Sequence, residues 1–359
     1  MKLLVDSEEF WASLKADIAS ARDYVYLQTL SFEGDTVGKE LCAQLKACAA
    51  TDVRVIVDSY TKYIISDKFL YTPRNLCDTE LRHEVKETHR MIDDIRQHGV
   101  GFKWVNPVGF LLHRFPSRNH KKMVVIDGHI TYVGGINFSE HNFAWHDMML
   151  RLDDTNIATV FAEDFKRTWL GENEKLTCKF DGIEFIFFDG KNNESLFEPI
   201  MDLLDGASKS VTIESPYLSF PFVEKLAELR KRGIDITIIT PEDNNKKLVK
   251  QYILWEAARH NFKVELYQGR MTHLKAMLID DETLIMGSTN FDYLSYTLQQ
   301  EIAAIVTDRT IVDEFIARII EPDLRNSKRF DGQVDAAAGA RLNRRLRSVA
   351  RLAVTLNRL

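Results

Sequence analysis

A histidine and a lysine two residues apart occur twice in this chain, as His120 with Lys122 and His273 with Lys275. On a strand, side chains repeat every two residues, so each pair points to one face. Five residues after each lysine stands an aspartate, Asp127 or Asp280. Then come Gly134 and Asn137 with Phe138, or Gly287 and Asn290 with Phe291. The offset between partners is 153 throughout. A single His-x-Lys is usually an edge-strand surface pair. Its repetition with the same flanking residues points to chemistry.

That chemistry is work on a phosphodiester. An imidazole can attack phosphorus, and a second one can protonate the leaving alkoxide and then deprotonate the incoming alcohol or water. Lys122 and Lys275 supply ammonium charge. Asn137 and Asn290 supply neutral donors, and the small-residue turns at Gly135 and Ser288 let backbone N–H groups approach a phosphate. Each ring needs a carboxylate on its other nitrogen to fix its tautomer. Asp147, 27 residues after His120, and Glu301, 28 after His273, are the candidates. Lysines and amides fill the electrophilic role, so no metal or cofactor is called for. Asp127 and Asp280 stand at strand ends, and their part is expected to be indirect. His113, His129, His141 and His146 have no counterpart and read as surface or loop residues, with His146 near the site through Asp147.

The elements around the motifs repeat as well. Val25 and Leu27 in YVYLQT match Val211 and Ile213 in SVTIE at an offset of 186. Each strand runs into an amphipathic helix, from Gly38 or Val223, and then into a second apolar strand, from Asp52 or Ile234. Strands separated by helices predict crossover units and mainly parallel pairing. The expectation is an α/β protein with a pseudo-twofold, duplicated fold, two mainly parallel sheets flanked by helices. The halves are 1–178 and 179–330, with a C-terminal helix over 331–359.

HKKMVVID and HLKAMLID resemble the paired HxKxxxxD motifs of the phospholipase D superfamily. RNHKKMVVIDG, TYVGGINFSEHN and GSTNFDYLSYTLQQE resemble the bacterial cardiolipin synthase group within it. The resemblance runs from about Leu3 to about Leu324. It implies a duplicated fold with one shared active site and a phosphatidyl transferase working through a phosphatidyl-histidine. It carries over His120, Lys122, Asp127, His273, Lys275 and Asp280 as active-site residues, and Asn137, Asn290 and Glu301 as members of the pattern. The residues themselves do not divide nucleophile from acid; the resemblance points to His120 as nucleophile. Many such synthases carry transmembrane helices near the N-terminus, a feature this chain does not show.

Charge bears on the substrate. The chain of 359 residues has 47 Lys and Arg against 53 Asp and Glu. Six of the arginines fall in the last 24 residues, leaving the body at −12. Such a body argues against a nucleic-acid partner, which needs a basic footprint. In the tail, Leu342, Leu346, Val349, Ala353 and Leu356 form one helical stripe among Arg341, Arg344, Arg345, Arg347, Arg351 and Arg358. Two readings stay open: an anionic membrane surface bound through Arg341–Leu359, or a terminal helix packed on the protein. Tyr60 to Asn119 is about twice as long as its counterpart, Pro241 to Thr272. Its Phe110, Leu111, Leu112 and Phe115 read either as an apolar wall for acyl chains or as core. SPYLSFPF, from Ser215, reads as cleft lining or as a loop closure. No run approaches the ~18 apolar residues of a span. Asp6, Glu8 and Glu9 interrupt any signal-peptide pattern. Cys42, Cys48, Cys77 and Cys178 form no C-x-x-C and read as reduced thiols. The expected location is therefore the cytoplasm, peripherally bound to the inner face of the cell membrane. Three activities fit: a phosphatidyltransferase joining two phosphatidylglycerols, a hydrolytic phospholipase D using water, and, less well, a nuclease.

Overall fold

The computed structural model describes residues 1–357; Arg358 and Leu359, and the side chain of Leu111, lie outside the described residues. The chain divides into two compact units, Met1–Glu174 and Lys175–Leu359.

The first unit is built on seven strands: β1 (Lys2–Val5), β2 (Tyr24–Thr29), β3 (Asp52–Asp58), β4 (Gly101–Val105), β5 (Met123–Ile126), β6 (Ile130–Gly134) and β7 (Met148–Asp153). Their order in the sheet is β1-β7-β6-β5-β2-β3-β4. Helix Thr36–Ala47 crosses from β2 to β3 and helix Thr79–Gln97 from β3 to β4, so these pairs are parallel. The other four pairings are antiparallel. The expected mainly parallel sheet is therefore corrected. The motif strands β5 and β6 are joined by a tight turn at Asp127–Gly128, both with left-handed φ (48° and 69°), and such a turn forces a hairpin. Apolar residues at helical spacing explain the core: Phe10, Leu14 and Ile18 of helix Asp6–Ser20 and Leu41 and Leu45 of Thr36–Ala47 cover Val25, Leu27, Val55 and Val124.

The second unit has nine strands: β8 (Leu176–Phe180), β9 (Ile183–Asp189), β10 (Ser210–Glu214), β11 (Asp235–Pro241), β12 (Lys263–Tyr267), β13 (Ala276–Ile279), β14 (Thr283–Gly287), β15 (Gln300–Val306) and β16 (Ser327–Arg329). Their order is β8-β9-β15-β14-β13-β10-β11-β12-β16. Only β10·β11 and β11·β12 are parallel, again through crossover helices, Phe222–Lys231 and Lys247–His260. The boundary read at 178/179 falls inside β8, which pairs with β9 and belongs with the second unit. Helix Thr79–Gln97 of the first unit takes the place of Lys247–His260 in the second. The extra length of the first half is thus the short hairpin Ile64–Ile65/Lys68–Phe69 and the loop that follows β4.

Helix Ala336–Asn357 packs on the second unit. Leu342 and Leu346 join its core, and Gly339 lies so close to the Trp255 ring that a Cβ would sit 1.9 Å from Cδ1. Arg347 pairs with Glu224 at 2.7 Å and stands over the Phe220 ring. The predicted single stripe is split: Leu342 and Leu346 face inward, whereas Val349 and Leu356 are exposed together with Leu352. Among the described residues no helix is long and apolar enough to cross a membrane.

Candidate active site

In the first unit, His120 and Lys122 lie just ahead of β5, buried, with the Lys122 ammonium donating to the His120 carbonyl at 2.7 Å. In the second, Lys275 donates to the His273 carbonyl at 2.5 Å and its Nζ stands 2.9 Å from the His273 Nδ1. Each motif therefore folds its lysine ammonium back onto the carbonyl of its histidine, and in the second unit the ammonium also meets the imidazole.

The carboxylates that follow are also positioned. Asp147, at the foot of β7, rests against Gly135, where a Cβ would come within 2.2 Å of its Oδ1; only glycine admits the carboxylate so closely. Its Oδ1 accepts the Met148 N–H at 2.8 Å. At the matching position of the second unit, Ser288 donates to Glu301 Oε2 at 2.5 Å and accepts from the Ile302 N–H, while Ser295 donates to Glu301 Oε1 at 3.0 Å. Ser288, expected to bind phosphate, thus has its hydroxyl committed to Glu301. Asn137 accepts from Thr29 Oγ1 and donates to Asn142 Oδ1, at 3.3 and 3.2 Å, and Asn290 is buried in the corresponding loop.

Asp127 and Asp280 are placed elsewhere. They lie past the ends of β5 and β13, about 16 Å of extended chain beyond the motif lysines. Asp127 accepts the amides of Arg22, Asp23 and Tyr24 at 2.8, 2.8 and 2.9 Å. Asp280 accepts those of Ser208, Lys209 and Ser210, and the Ser208 hydroxyl, all at 2.8–2.9 Å. Desolvation opposes the Asp280 charge, but these hydrogen bonds outweigh it and hold the carboxyl below its ordinary range. The motif aspartates are turn residues that tie the hairpin to the start of β2 or β10. The contacts seen for both carboxylates are with backbone at a strand end.

Other sequence expectations fall out unevenly. His113 and His129 are exposed loop residues and His141 is half-buried. His146 is instead buried, with its Nδ1 2.6 Å from Asp6 Oδ1, while the Asp6 N–H donates to the Asp147 carbonyl at 2.8 Å. Phe110 is 83 % exposed, whereas Phe115 packs against Tyr60, Tyr63 and Phe69. In SPYLSFPF, Leu218, Phe220 and Phe222 are core, but the Tyr217 ring meets His273 edge-on, 6.0 Å away. Its hydroxyl donates to Asn245 Oδ1 at 2.7 Å.

Four residues around His120 carried no signal of function in the sequence. Gln28 donates to Asn119 Oδ1 at 2.7 Å, and Arg118 forms a buried pair with Asp58 at 2.7 Å. Thr272 and Glu214 make the matching contact ahead of His273, at 2.5 Å. The available cue was a polar residue, Gln28 or Glu214, at the end of an otherwise apolar central strand, where an amide or carboxylate needs a partner.

Each unit carries a buried histidine and lysine of one motif on a sheet of the same core order. Residues 14–169 and 200–321 match the family described as "Cardiolipin synthase, PLD-like domain". The chain belongs to this family and is an enzyme of the phosphatidyltransferase type within the phospholipase D superfamily. It is 26 % identical to the major cardiolipin synthase ClsA of Bacillus subtilis over 91 % of this chain and 69 % of the relative. It is 27 % identical to cardiolipin synthase A of Pseudomonas aeruginosa over 98 % and 72 %. The fold is similar to that of phosphatidylserine synthase from Haemophilus influenzae, with a TM-score of 0.74, 16 % identity, and 98 % and 92 % of the two chains covered.

Proposed function

We propose that the protein transfers a phosphatidyl group from one phosphatidylglycerol to the hydroxyl of a second, giving cardiolipin and glycerol. The carrying observation is that each unit presents a buried histidine whose carbonyl accepts from the ammonium of the motif lysine. In this reading one histidine, His120, attacks phosphorus. The bond to the glycerol oxygen breaks, and His273 delivers a proton to that oxygen. The second phosphatidylglycerol then gives its hydroxyl proton to His273 and displaces His120 from phosphorus. Lys122 and Lys275, with Asn137 and Asn290, counter the charge on the phosphoryl oxygens. Asp147 and Glu301 orient the half-sites in this scheme. The same residues with water as acceptor give the alternative, a hydrolytic phospholipase D; cardiolipin synthase relatives favour the transfer.

The lipid surface is part of the proposal. On helix Ala336–Asn357 the exposed Val349, Leu352 and Leu356 lie among Arg344, Arg345 and Arg351, a face suited to an anionic bilayer. Each such arginine is worth about 1 kcal/mol near an anionic surface. Phe110 offers a second apolar contact, in the loop that leads to His120.

The test is incubation with phosphatidylglycerol liposomes followed by mass spectrometry of the lipids. Cardiolipin with free glycerol is the expected product. Phosphatidic acid alone moves the assignment to hydrolysis, and no lipid change rejects phosphatidylglycerol as donor. His120→Ala and His273→Ala should each lower turnover by at least about 10³-fold with native circular dichroism. Full activity in either would reject the two-histidine scheme.

A further inference from the structure

The two half-sites are held by different means. At the end of β3, Asp58 is fully buried. Its Oδ1 is 2.7 Å from Arg118 Nη1, and its Oδ2 accepts the Asn119 N–H at 2.6 Å. Arg118 also donates to the Asn106 carbonyl at 3.0 Å and the Arg114 carbonyl at 2.7 Å, so one guanidinium binds both ends of the loop after β4. Asn119 Oδ1 accepts from Gln28 and, at 3.3 Å, from the Lys121 N–H. The Lys121 ammonium is itself paired with Asp164 at 2.6 Å. The peptide N–H groups on both sides of His120 are thus fixed by a buried polar clamp.

In the second unit the positions matching Asp58 and Arg118 are apolar. The register of β2 on β3 and of β10 on β11 sets Gln28 against Glu214 and Asp58 against Pro241. The motif offset sets Arg118 against Met271 and Asn119 against Thr272. The contact of Gln28 with Asn119 survives as Glu214 with Thr272. The ion pair is replaced by buried Met271 and Pro241. The same fold therefore accepts apolar side chains at these two positions. A buried ion pair seldom stabilises more than an apolar pair of similar volume. What it adds is direction: a planar fork with fixed donors.

We propose that Arg118 and Asp58 are positioning residues for His120, setting its backbone and the adjoining loop for the reaction rather than stabilising the fold. This rests on His120 being a reacting group. An Asp58→Leu, Arg118→Met double variant gives the first unit apolar side chains at these two positions, as in the second. Its melting temperature should stay within a few degrees of the parent. Its KM for phosphatidylglycerol should change less than about 3-fold, and its kcat should fall about 10- to 100-fold, as small misplacements of a reacting group do. Arg118→Lys keeps the charge without the fork and should fold natively with an intermediate kcat. Full kcat in the folded double variant overturns the proposal, as does a raised KM at unchanged kcat. If the double variant fails to fold, unchanged kcat in Arg118→Lys overturns it. His120→Ala, run alongside, separates the two readings. An active His120→Ala refutes the scheme beneath; an inactive one with an active double variant refutes only the clamp.

Discussion

At the residue scale, the motif aspartates divide from the motif histidines. Asp127 and Asp280 each collect at least three backbone amides at a hairpin turn. Losing such an acceptor costs about 1–3 kcal/mol. Asp280→Ala should therefore lower the melting temperature by several degrees in calorimetry, while turnover measured well below that temperature stays within about 10-fold of the parent, far above any histidine variant. Turnover as low as that of His273→Ala in a folded Asp280→Ala protein would return the aspartate to the chemistry. Asp58 gives a pH prediction. Burial pushes its carboxyl up to about 6, against the pull of Arg118 and the Asn119 and Tyr60 amides. An unfolded aspartate titrates near ~3.9. The folded state thus holds this proton more tightly. The contribution is fully present below ~pH 4 and is lost as pH rises through about 6. Melting temperatures of the parent and Asp58→Asn, measured from pH 4 to 7, should show the parent losing stability relative to the variant over that window. Parallel curves would refute the assignment. The histidines, lysines and turn glycines were legible because they recur at a fixed offset. Arg118 and Asp58 were not, because they have no counterpart and lie 60 residues apart.

At the element scale, the terminal helix is the informative case. Heptad-like spacing located it, but spacing alone cannot say which part of a stripe finds a neighbour. Leu342 and Leu346 pack beside Trp255, while Val349, Leu352 and Leu356 face out. The two ends should separate by mutation. Leu346→Ala should lower the melting temperature and leave vesicle binding intact, since it removes packed apolar volume. Val349→Asp with Leu352→Asp should leave the melting temperature within a degree or two and abolish co-flotation with phosphatidylglycerol vesicles. Flotation unchanged by the paired aspartates would place the lipid contact elsewhere. The hairpin of each motif shows the limit of reading crossovers: the helices after β2 and β10 correctly foretold parallel neighbours, but the turn at Asp127–Gly128 reverses the chain without one.

At the scale of the whole molecule, duplication made the fold legible. Two sheets with the same core order, each with two parallel pairs, follow from one repeated run of strand, helix, strand and hairpin. Additions to that run were harder to foresee. Strands β8 and β16, at the two edges, enlarge the second sheet to nine strands, and nothing in the first half announced them; β9 takes the place of β1. The charge contrast between an acidic body and an arginine-rich tail survives in the structure as a helix that is packed along one side and cationic along another.

The seat of that helix makes the protein its own optical probe. Trp255 is covered on one side by Gly339 and lies beneath the Arg259 guanidinium at 5.5 Å, leaving the indole 8 % exposed. An indole screened from water in this way emits to the blue. A helix that lifts off to lie in a bilayer would wet it and shift the emission red, whereas a helix that stays seated and dips only its outer face would leave the Trp255 signal unchanged. Subtracting the spectrum of Trp255→Phe isolates that one chromophore from the other four tryptophans, so a single titration with vesicles tells the two modes of attachment apart.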